Sequence, residues 1–381
     1  MKGPDPLRVL HLHSSFSAGG KELRAVRLMN AFGSKLKHAV VSAQPGAYGA
    51  SIVVDPSLAV SYLEHFPGLQ GSPTPFRLWR IARALRGYDL VLTYNWGAMD
   101  AVLAHALFRH VMRLPPLVHH EDGFNEDEAG GLKASRNRFR QIALGGASAL
   151  VVPSRRLEAV ATTVWRQPRE RVRLINNGID CAAYVEKPRP DALHGLVKRP
   201  GEKWVGTLAG LRRVKNLPRL VRAFADLPGD WHLVILGDGP ERDAILAQAR
   251  ESGVSARVHL PGFVADPSHA VGLFDLFALS SDSEQFPISV VEAMAAGLAV
   301  ASPAVGDVAE MVSAENRGYI TPPGNETALA QTLLALAGDP DLRRRIGIAN
   351  RAQAQACYDE NTMISAYRTV YGEAVGDLSV I

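Results

Sequence analysis

Leu276-Phe277-Ala278-Leu279-Ser280-Ser281-Asp282-Ser283-Glu284-Gln285-Phe286-Pro287-Ile288-Ser289-Val290-Val291-Glu292-Ala293-Met294-Ala295-Ala296 predicts a strand, a loop and a helix in one stretch. The first four residues are all apolar, as a strand buried on both faces requires. Pro287 stands where the helix begins, and proline is tolerated there because a first-turn N–H has no helical partner. Val290, Val291, Ala293 and Met294 continue the helix. Glu284 therefore falls on the loop before a helix N-terminus, and Glu292 about two turns in. Free backbone N–H groups at a helix start suit phosphate. An ionised carboxylate only accepts hydrogen bonds, so it suits sugar hydroxyls. A strand end that offers both is suited to a sugar joined to a phosphate.

The same alternation runs through the chain. Further candidate strands are residues 8–13, 38–41, 90–94, 116–119 and 150–152, with a helix over 21–32 after the first. After a proline- and charge-rich stretch at 186–202 the pattern restarts, with strands at 203–208, 232–236, 258–260, 276–279 and 299–302. Strands alternating with helices predict doubly wound parallel sheets. Two such series, joined by a linker near 180–200, predict an α/β chain of two Rossmann-like domains. At 381 residues the chain also exceeds one ordinary core. From about residue 340 it is helical, with no strand after.

Composition removes several classes. Hydrophobic content of 47% describes a globular protein. Cys181 and Cys357 are the only cysteines, too few for a disulfide framework or a cysteine-based zinc site. No run of about 18 apolar residues suggests a membrane span. Met1-Lys2-Gly3-Pro4-Asp5-Pro6 passes straight into a strand without a signal-peptide core, so a cytoplasmic location is expected. The loop Ser14-Ser15-Phe16-Ser17-Ala18-Gly19-Gly20-Lys21-Glu22 lacks the dinucleotide fingerprint, and Gly237-Asp238-Gly239-Pro240 carries only its first two glycines. There is no phosphate-loop motif, metalloprotease histidine pair or nucleophile elbow. Charge is uneven: residues 1–178 hold 23 Lys and Arg against 13 Asp and Glu, a net +10, while the rest nets −6. A basic first half points to an anionic partner. No motif for nucleic acid accompanies it.

Glu284-Gln285-Phe286-Pro287, followed by Glu292-Ala293-Met294-Ala295, closely resembles the carboxylate signature of retaining, nucleotide-sugar-dependent glycosyltransferases of family 4. The resemblance implies that Glu284 holds the donor sugar hydroxyls, that Glu292 holds the nucleotide ribose, and that the amides around Phe286, Pro287, Ile288 and Ser289 face the donor. Gln285 stands where the family has glycine. In Gly206-Thr207-Leu208-Ala209-Gly210-Leu211-Arg212-Arg213-Val214-Lys215-Asn216, Lys215 precedes a helix expected to be capped by Asn216 with Pro218 in its first turn. Lys215 matches the family lysine for the donor diphosphate. The family arginine falls on Gly210, leaving Arg212 or Arg213 as substitutes. Gly306 matches a family glycine that lets backbone close on a ligand, with Asp307 in place of a second glycine. Gly237 joins the donor-binding set. Asn176-Asn177-Gly178-Ile179-Asp180 matches a family motif near the interdomain crossing and is read as structural.

In the first half, Gly19-Gly20-Lys21-Glu22 resembles the family Gly-Gly-x-Glu loop, and its glycines would admit donor phosphate. His119-His120-Glu121-Asp122-Gly123 follows a strand where the family often carries His-Gly. Gly123 matches the glycine and Asp122 takes the histidine position, so His119, His120 and Asp122 are alternative candidates for a polar group facing the cleft. At 100° per residue, Arg77, Arg80, Arg83 and Arg86 fall on one half of a helix with Trp79 among them, opposite Leu78, Ile81 and Leu85. Such a face suits an anionic membrane surface.

The resemblance implies the GT-B architecture, two Rossmann-like doubly wound parallel-sheet domains facing a central cleft. Residues 1–180 would bind the acceptor, with a terminal helix near 361–381 packing back on them, and residues 181–360 the nucleotide sugar. The expected activity is retaining, metal-independent transfer of a sugar from a nucleotide-diphosphate sugar to an acceptor hydroxyl. Glu284 and Lys215 would act at the reacting centre, with no cofactor. The acceptor would be a lipid-linked or cell-surface saccharide, as in polysaccharide or lipopolysaccharide assembly, reached from the inner face of the cytoplasmic membrane. Two alternatives stay open: a weakened sugar-nucleotide-binding protein, suggested by Gly210 and Gln285, and a sugar-nucleotide epimerase of the same fold.

Overall fold

The computed structural model describes residues 6–124, 128 and 131–378. The expected start at 1–5 and the last three residues lie outside that set. The chain forms two compact units. One comprises Met1–Asn176 and Met363–Ile381, the other Asn177–Thr362.

The first unit is built on seven strands: β1 (Leu7–His13), β2 (Leu36–Ser42), β3 (Val60–Tyr62), β4 (Leu90–Tyr94), β5 (Leu117–His120), β6 (Ala149–Val152) and β7 (Val172–Leu174). They lie in the order β3-β2-β1-β4-β5-β6-β7, every pairing parallel. The second unit has β8 (Lys203–Leu208), β9 (Trp231–Leu236), β10 (Val258–Gly262), β11 (Leu276–Ala278), β12 (Val300–Pro303) and β13 (Ile320–Thr321), in the order β10-β9-β8-β11-β12-β13. These pairings too are all parallel. The α/β expectation therefore holds in both halves.

Alternation along each strand sends neighbouring residues to opposite faces, and both faces are covered. In the first unit Val9, Leu90 and Leu92 pack with Leu28, Phe32, Met363, Tyr367 and Tyr371, while Leu10, Leu12 and Val91 pack with Leu78, Ile81, Leu85 and Val102. The terminal helix Glu360–Val375 thus covers the sheet of the first unit. In the second unit Val205, Leu233 and Ile235 meet Leu220, Phe224 and Leu333, while Trp204, Val234 and Phe277 meet Val290 and Met294.

Three strands, β3, β7 and β13, are absent from the sequence reading. Each is a two- or three-residue edge strand, too short to show an apolar pattern. The stretch 186–202 is not a free linker. Leu193 is buried in the core of the second unit, and Lys198 Nζ donates to Leu273 O and Asp275 Oδ2, both at 2.6 Å. The passage between units falls instead at Asn176–Asn177 and again at Thr362–Met363. Just inside the second unit, Ile179 bridges Asp359: Ile179 N–H donates to Tyr358 O at 3.0 Å, and Glu360 N–H to Ile179 O at 2.9 Å. Asp180 caps the turn that follows, accepting from Ala182 N at 3.0 Å.

In each sheet the order reverses between the first and fourth strands, so the loops after β1 and β4, and after β8 and β11, diverge. In open α/β sheets ligands occupy the crevice at the carboxyl ends of such strands. Gly19–Gly20 lies on the first of these loops, Lys215 on the third and Glu284 on the fourth.

Candidate functional site

In the second unit the loops after β8 and β11 are joined through their charged groups. Lys215 Nζ donates to Glu284 Oε1 at 2.5 Å, and Ser281 Oγ donates to the same oxygen at 2.6 Å. Both charged side chains are mostly enclosed, 16% and 11% exposed. The backbone fixes this meeting. Asp282 N–H donates to Val214 O at 2.8 Å, and Ser280 Oγ to Lys215 O at 2.9 Å. Arg219 pairs with Asp282 at 2.7 Å and donates to Ser280 O at 3.2 Å. Asn216 does not cap its helix with its side chain. It sits in the left-handed region at φ 44° and turns its amide to Asp282 Oδ2 at 3.1 Å. Ser281, Asp282 and Arg219 carry no motif of their own; the seryl pair ahead of Glu284 was the only signal for the first.

A third loop, after β12, locks the carboxylate in place. Gly306 has φ 57°, and a Cβ there would lie 2.4 Å from Gln285 O and 2.8 Å from Glu284 O. Asp307 N–H donates to Gln285 O at 3.1 Å. The glycine therefore serves close approach to the Glu284 loop. Gly237 acts similarly beneath the β8 loop, since a Cβ there would meet Ala209 O at 2.0 Å. Gly210 differs: it is exposed, and the nearest atom to a Cβ would be Arg212 Nε at 3.6 Å. The guanidinium of Arg212 thus lies beside the space a side chain at 210 would use, while Arg213 is exposed.

Helix Ile288–Ala295 begins one residue later than the sequence suggests, with Pro287 at the capping position. Phe286 is buried against Tyr358, ring centroids 5.4 Å apart, so its side chain belongs to the core. Ile288 and Ser289 are half-buried at the helix start. Gln285 Oε1 is buried and has no hydrogen-bond partner among the described residues. Glu292 accepts from the hydroxyl of Tyr184 at 3.2 Å, a partner 108 residues away that the sequence did not indicate. The structure thus brings Lys215, Ser281 and Glu284 together, with Gly306 and Gln285 beside them.

The carboxyl ends of the first sheet are organised differently. His119 and His120 are not loop residues; both lie in β5 and are fully buried. His119 Nδ1 is 2.8 Å from Thr93 Oγ1. His120 spans Thr93 O at 3.1 Å and Tyr371 Oη at 2.8 Å, and burial pushes its pKa down to about 3. Both imidazoles are core groups and not the facing polar groups that the sequence suggests. Asp122 forms a bidentate pair with Arg24, one bond of 2.9 Å from Nη2 to Oδ2, and its N–H donates to Asn95 Oδ1 at 2.7 Å. Burial opposes ionisation of Asp122, but the Arg24 guanidinium outweighs it and holds the carboxyl below the usual range. Its neighbour Glu121 meets Arg140 Nε at 3.2 Å, and Arg140 also reaches Glu128 at 3.3 Å, all three buried. Gly19 stands at the start of helix Gly20–Phe32 with no side-chain cap. Lys21 pairs with Glu22 there, and burial lowers its pKa to about 8.

The helix Pro75–Leu85 buries Leu78, Ile81, Ala82 and Leu85 as its spacing requires. Phe76 and Trp79 remain exposed and stacked, centroids 6.1 Å apart, with Arg83 5.6 Å over the indole. They line a shallow hollow of about 420 Å³ with Arg80. Arg77 leaves this face, pairing with Asp100 and donating to Ser72 O at 3.0 Å. Among the described residues no group of three or more His, Cys, Asp or Glu is placed to hold a metal, and no helix is long and apolar enough to cross a membrane.

Two parallel-sheet units, the second with a lysine and a carboxylate meeting at its switch point, define the GT-B class, and comparison with known proteins agrees. Residues 18–183 match the model of Glycosyltransferase Family 4, and residues 190–353 that of Glycosyl transferases group 1. A D-inositol 3-phosphate glycosyltransferase of Nocardia farcinica is 30% identical over 348 residues, covering 83% of this chain and 73% of that protein. The N-acetylgalactosamine-N,N'-diacetylbacillosaminyl-diphospho-undecaprenol 4-alpha-N-acetylgalactosaminyltransferase of Campylobacter jejuni is 27% identical over 223 residues, 58% of this chain and 59% of that protein. Among solved structures, Anabaena HepE in complex with UDP superposes with a TM-score of 0.80 at 23% identity, covering 96% of this chain and all of that one. Of three curated relatives it matches, the chain spans 56%, 73% and 59% of their lengths. The chain belongs to the group 1 glycosyltransferase family.

Proposed function

We propose that the protein is a retaining glycosyltransferase that moves a sugar from a nucleotide-diphosphate sugar to an acceptor hydroxyl. The observation that carries this is the meeting of Lys215, Ser281 and Glu284 at the carboxyl ends of β8 and β11. Residues 177–362 bind the donor. Lys215 faces the diphosphate and, with the first-turn amides of Ile288 and Ser289, stabilises the negative charge that grows on it as the glycosidic bond breaks. Arg212, beside Gly210, supplies the guanidinium of this loop. Glu284 accepts from sugar hydroxyls, the unpartnered Gln285 Oε1 takes another, and Glu292 holds the ribose. The leaving diphosphate takes the acceptor proton, so no protein base is required.

The first unit takes the acceptor, a lipid-linked or cell-surface saccharide. The names of two relatives support an anionic acceptor, inositol 3-phosphate in one and a diphospho-undecaprenol saccharide in the other. The exposed Phe76–Trp79 pair, flanked by Arg80 and Arg83, supports contact with an anionic bilayer. Sedimentation with vesicles tests this: the protein is expected to pellet with phosphatidylglycerol and not with phosphatidylcholine, and to lose the first on Trp79→Ser. Equal pelleting with both lipids contradicts it.

The decisive experiment is calorimetric titration with UDP, GDP and ADP, wild type beside Lys215→Ala. One diphosphate is expected to bind, with affinity about 10- to 100-fold weaker in the variant, the loss of one charge-assisted contact. Binding of none of the three ends the proposal.

A further inference from the structure

Lys215 and Glu284 are assigned above to opposite ends of one substrate, the lysine to the diphosphate and the carboxylate to the sugar. In the structure they are bound to each other, Nζ to Oε1 at 2.5 Å. We infer that this pair ties the two donor contacts to each other and makes the site select the intact nucleotide sugar over the nucleoside diphosphate left after transfer. The inference rests on the proposed donor reading and extends it.

The physical chain is short. A diphosphate entering the site draws Lys215 away from Glu284. The carboxylate is only 11% exposed, and its other hydrogen-bond partner among the described residues is Ser281 at 2.6 Å. An enclosed charge that loses its counter-charge carries a large part of its desolvation cost. Free nucleoside diphosphate brings nothing to offset that cost. The intact donor brings hydroxyls, and these donate to Glu284 in place of the ammonium. The two halves of the donor are therefore coupled through one ion pair, a coupling free energy in the strict sense. The same pair favours product departure: once the sugar has moved to the acceptor, Glu284 has no hydroxyls and competes again for Lys215. The competition is possible because the contact is a single-point ammonium contact. The loops themselves stay in place, held by Asp282 N–H to Val214 O and by Ser280 Oγ to Lys215 O.

The test compares affinities for UDP, GDP and ADP alone with those for UDP-, GDP- and ADP-glucose, in wild type, Glu284→Gln and Ser281→Ala. Glu284→Gln releases Lys215, so the recognised nucleoside diphosphate should bind about fivefold more tightly while the nucleotide sugar binds more weakly. Removing a nearby negative charge would by itself strengthen diphosphate binding, so Ser281→Ala is the decisive arm. It keeps the charge but removes the Ser281 hydrogen bond to Glu284, and diphosphate binding should weaken about two- to threefold. Unchanged or tighter binding in Ser281→Ala overturns the inference, as does unchanged or weaker binding in Glu284→Gln. Both results leave the donor reading standing if Lys215→Ala still loses affinity. If the wild type binds no diphosphate, both fall.

Discussion

The two units share a strand order and use the carboxyl ends of their strands in opposite ways. In the first, consecutive acids after β5 are each held by an arginine from a different helix, Glu121 by Arg140 and Asp122 by Arg24. Arg140 lies at 4.9 and 5.0 Å over the rings of Trp165 and Trp96, fully enclosed. In the second, Arg219 holds Asp282, but Glu284 sits on a loop and meets its counter-charge through a single lysine contact. A guanidinium presents a planar fork that fills two acceptor sites at once, whereas an ammonium is a point charge on a flexible stem. The first arrangement suits holding a loop rigid; the second suits the exchange of partners that the proposed donor reading requires. Equivalent topology therefore gives a forked clamp in one unit and a single-point ion pair in the other.

The largest effect that separates them is expected from Arg140→Met. It leaves Glu121 buried without its arginine and takes one of two arginines from Glu128, which Arg136 still meets at 3.0 Å, and breaking such a network costs about 3–5 kcal/mol. Denaturant unfolding should show the loss in the first unit, with nucleoside diphosphate binding by the second unchanged. A loss below about 1 kcal/mol would mean that the cluster is not a clamp.

Next comes Gly306→Ala in the second unit. A Cβ would press on the carbonyls of Gln285 and Glu284 at a positive φ, a strain of about 1–3 kcal/mol. Because the strained atoms carry Glu284, nucleotide-sugar affinity should fall with it. Normal affinity in a folded variant would show that the loop after β12 does not position the carboxylate.

The smallest effect, about 1 kcal/mol per histidine at pH 5.5, is an acid sensitivity concentrated in the first unit, since in the second the lowered His259 is only half-buried. Burial lowers His38 to about 4 and His120 to about 3, and holds His11 and His13 well below the usual value. These groups are neutral in the folded chain and take up protons only on unfolding. Their contribution is fully present above pH 6.5, the unfolded value, and is lost as pH falls toward 4. Tryptophan fluorescence and hydrogen exchange against pH check which unit opens first. Simultaneous opening of both units would contradict the assignment.

Much of this was legible from residues. Strands buried on both faces announce themselves as unbroken apolar runs, and Lys215, Glu284 and Gly306 sit where a strand ends and a turn is forced. What was not legible is pairing across distance. His120 looks like a polar group at a strand end, and only Tyr371, 251 residues away, makes it a core residue. Asp122 resembles a site acid until Arg24, 98 residues earlier, is placed against it. The stretch 186–202 reads as a linker because its prolines and charges hide one buried anchor, Leu193. The edge strands β3, β7 and β13 are too short for periodicity to register.

The terminal helix has a consequence for how the protein is made. Met363, Tyr367, Val370 and Tyr371 cover the sheet face that carries Val9, Leu90 and Tyr94, yet the ribosome delivers them after the whole of the second unit. Of the two units, the one whose translation begins first is completed second. Until those residues emerge, this sheet face is covered only in part, by Leu28 and Phe32, while the second unit is already free to fold.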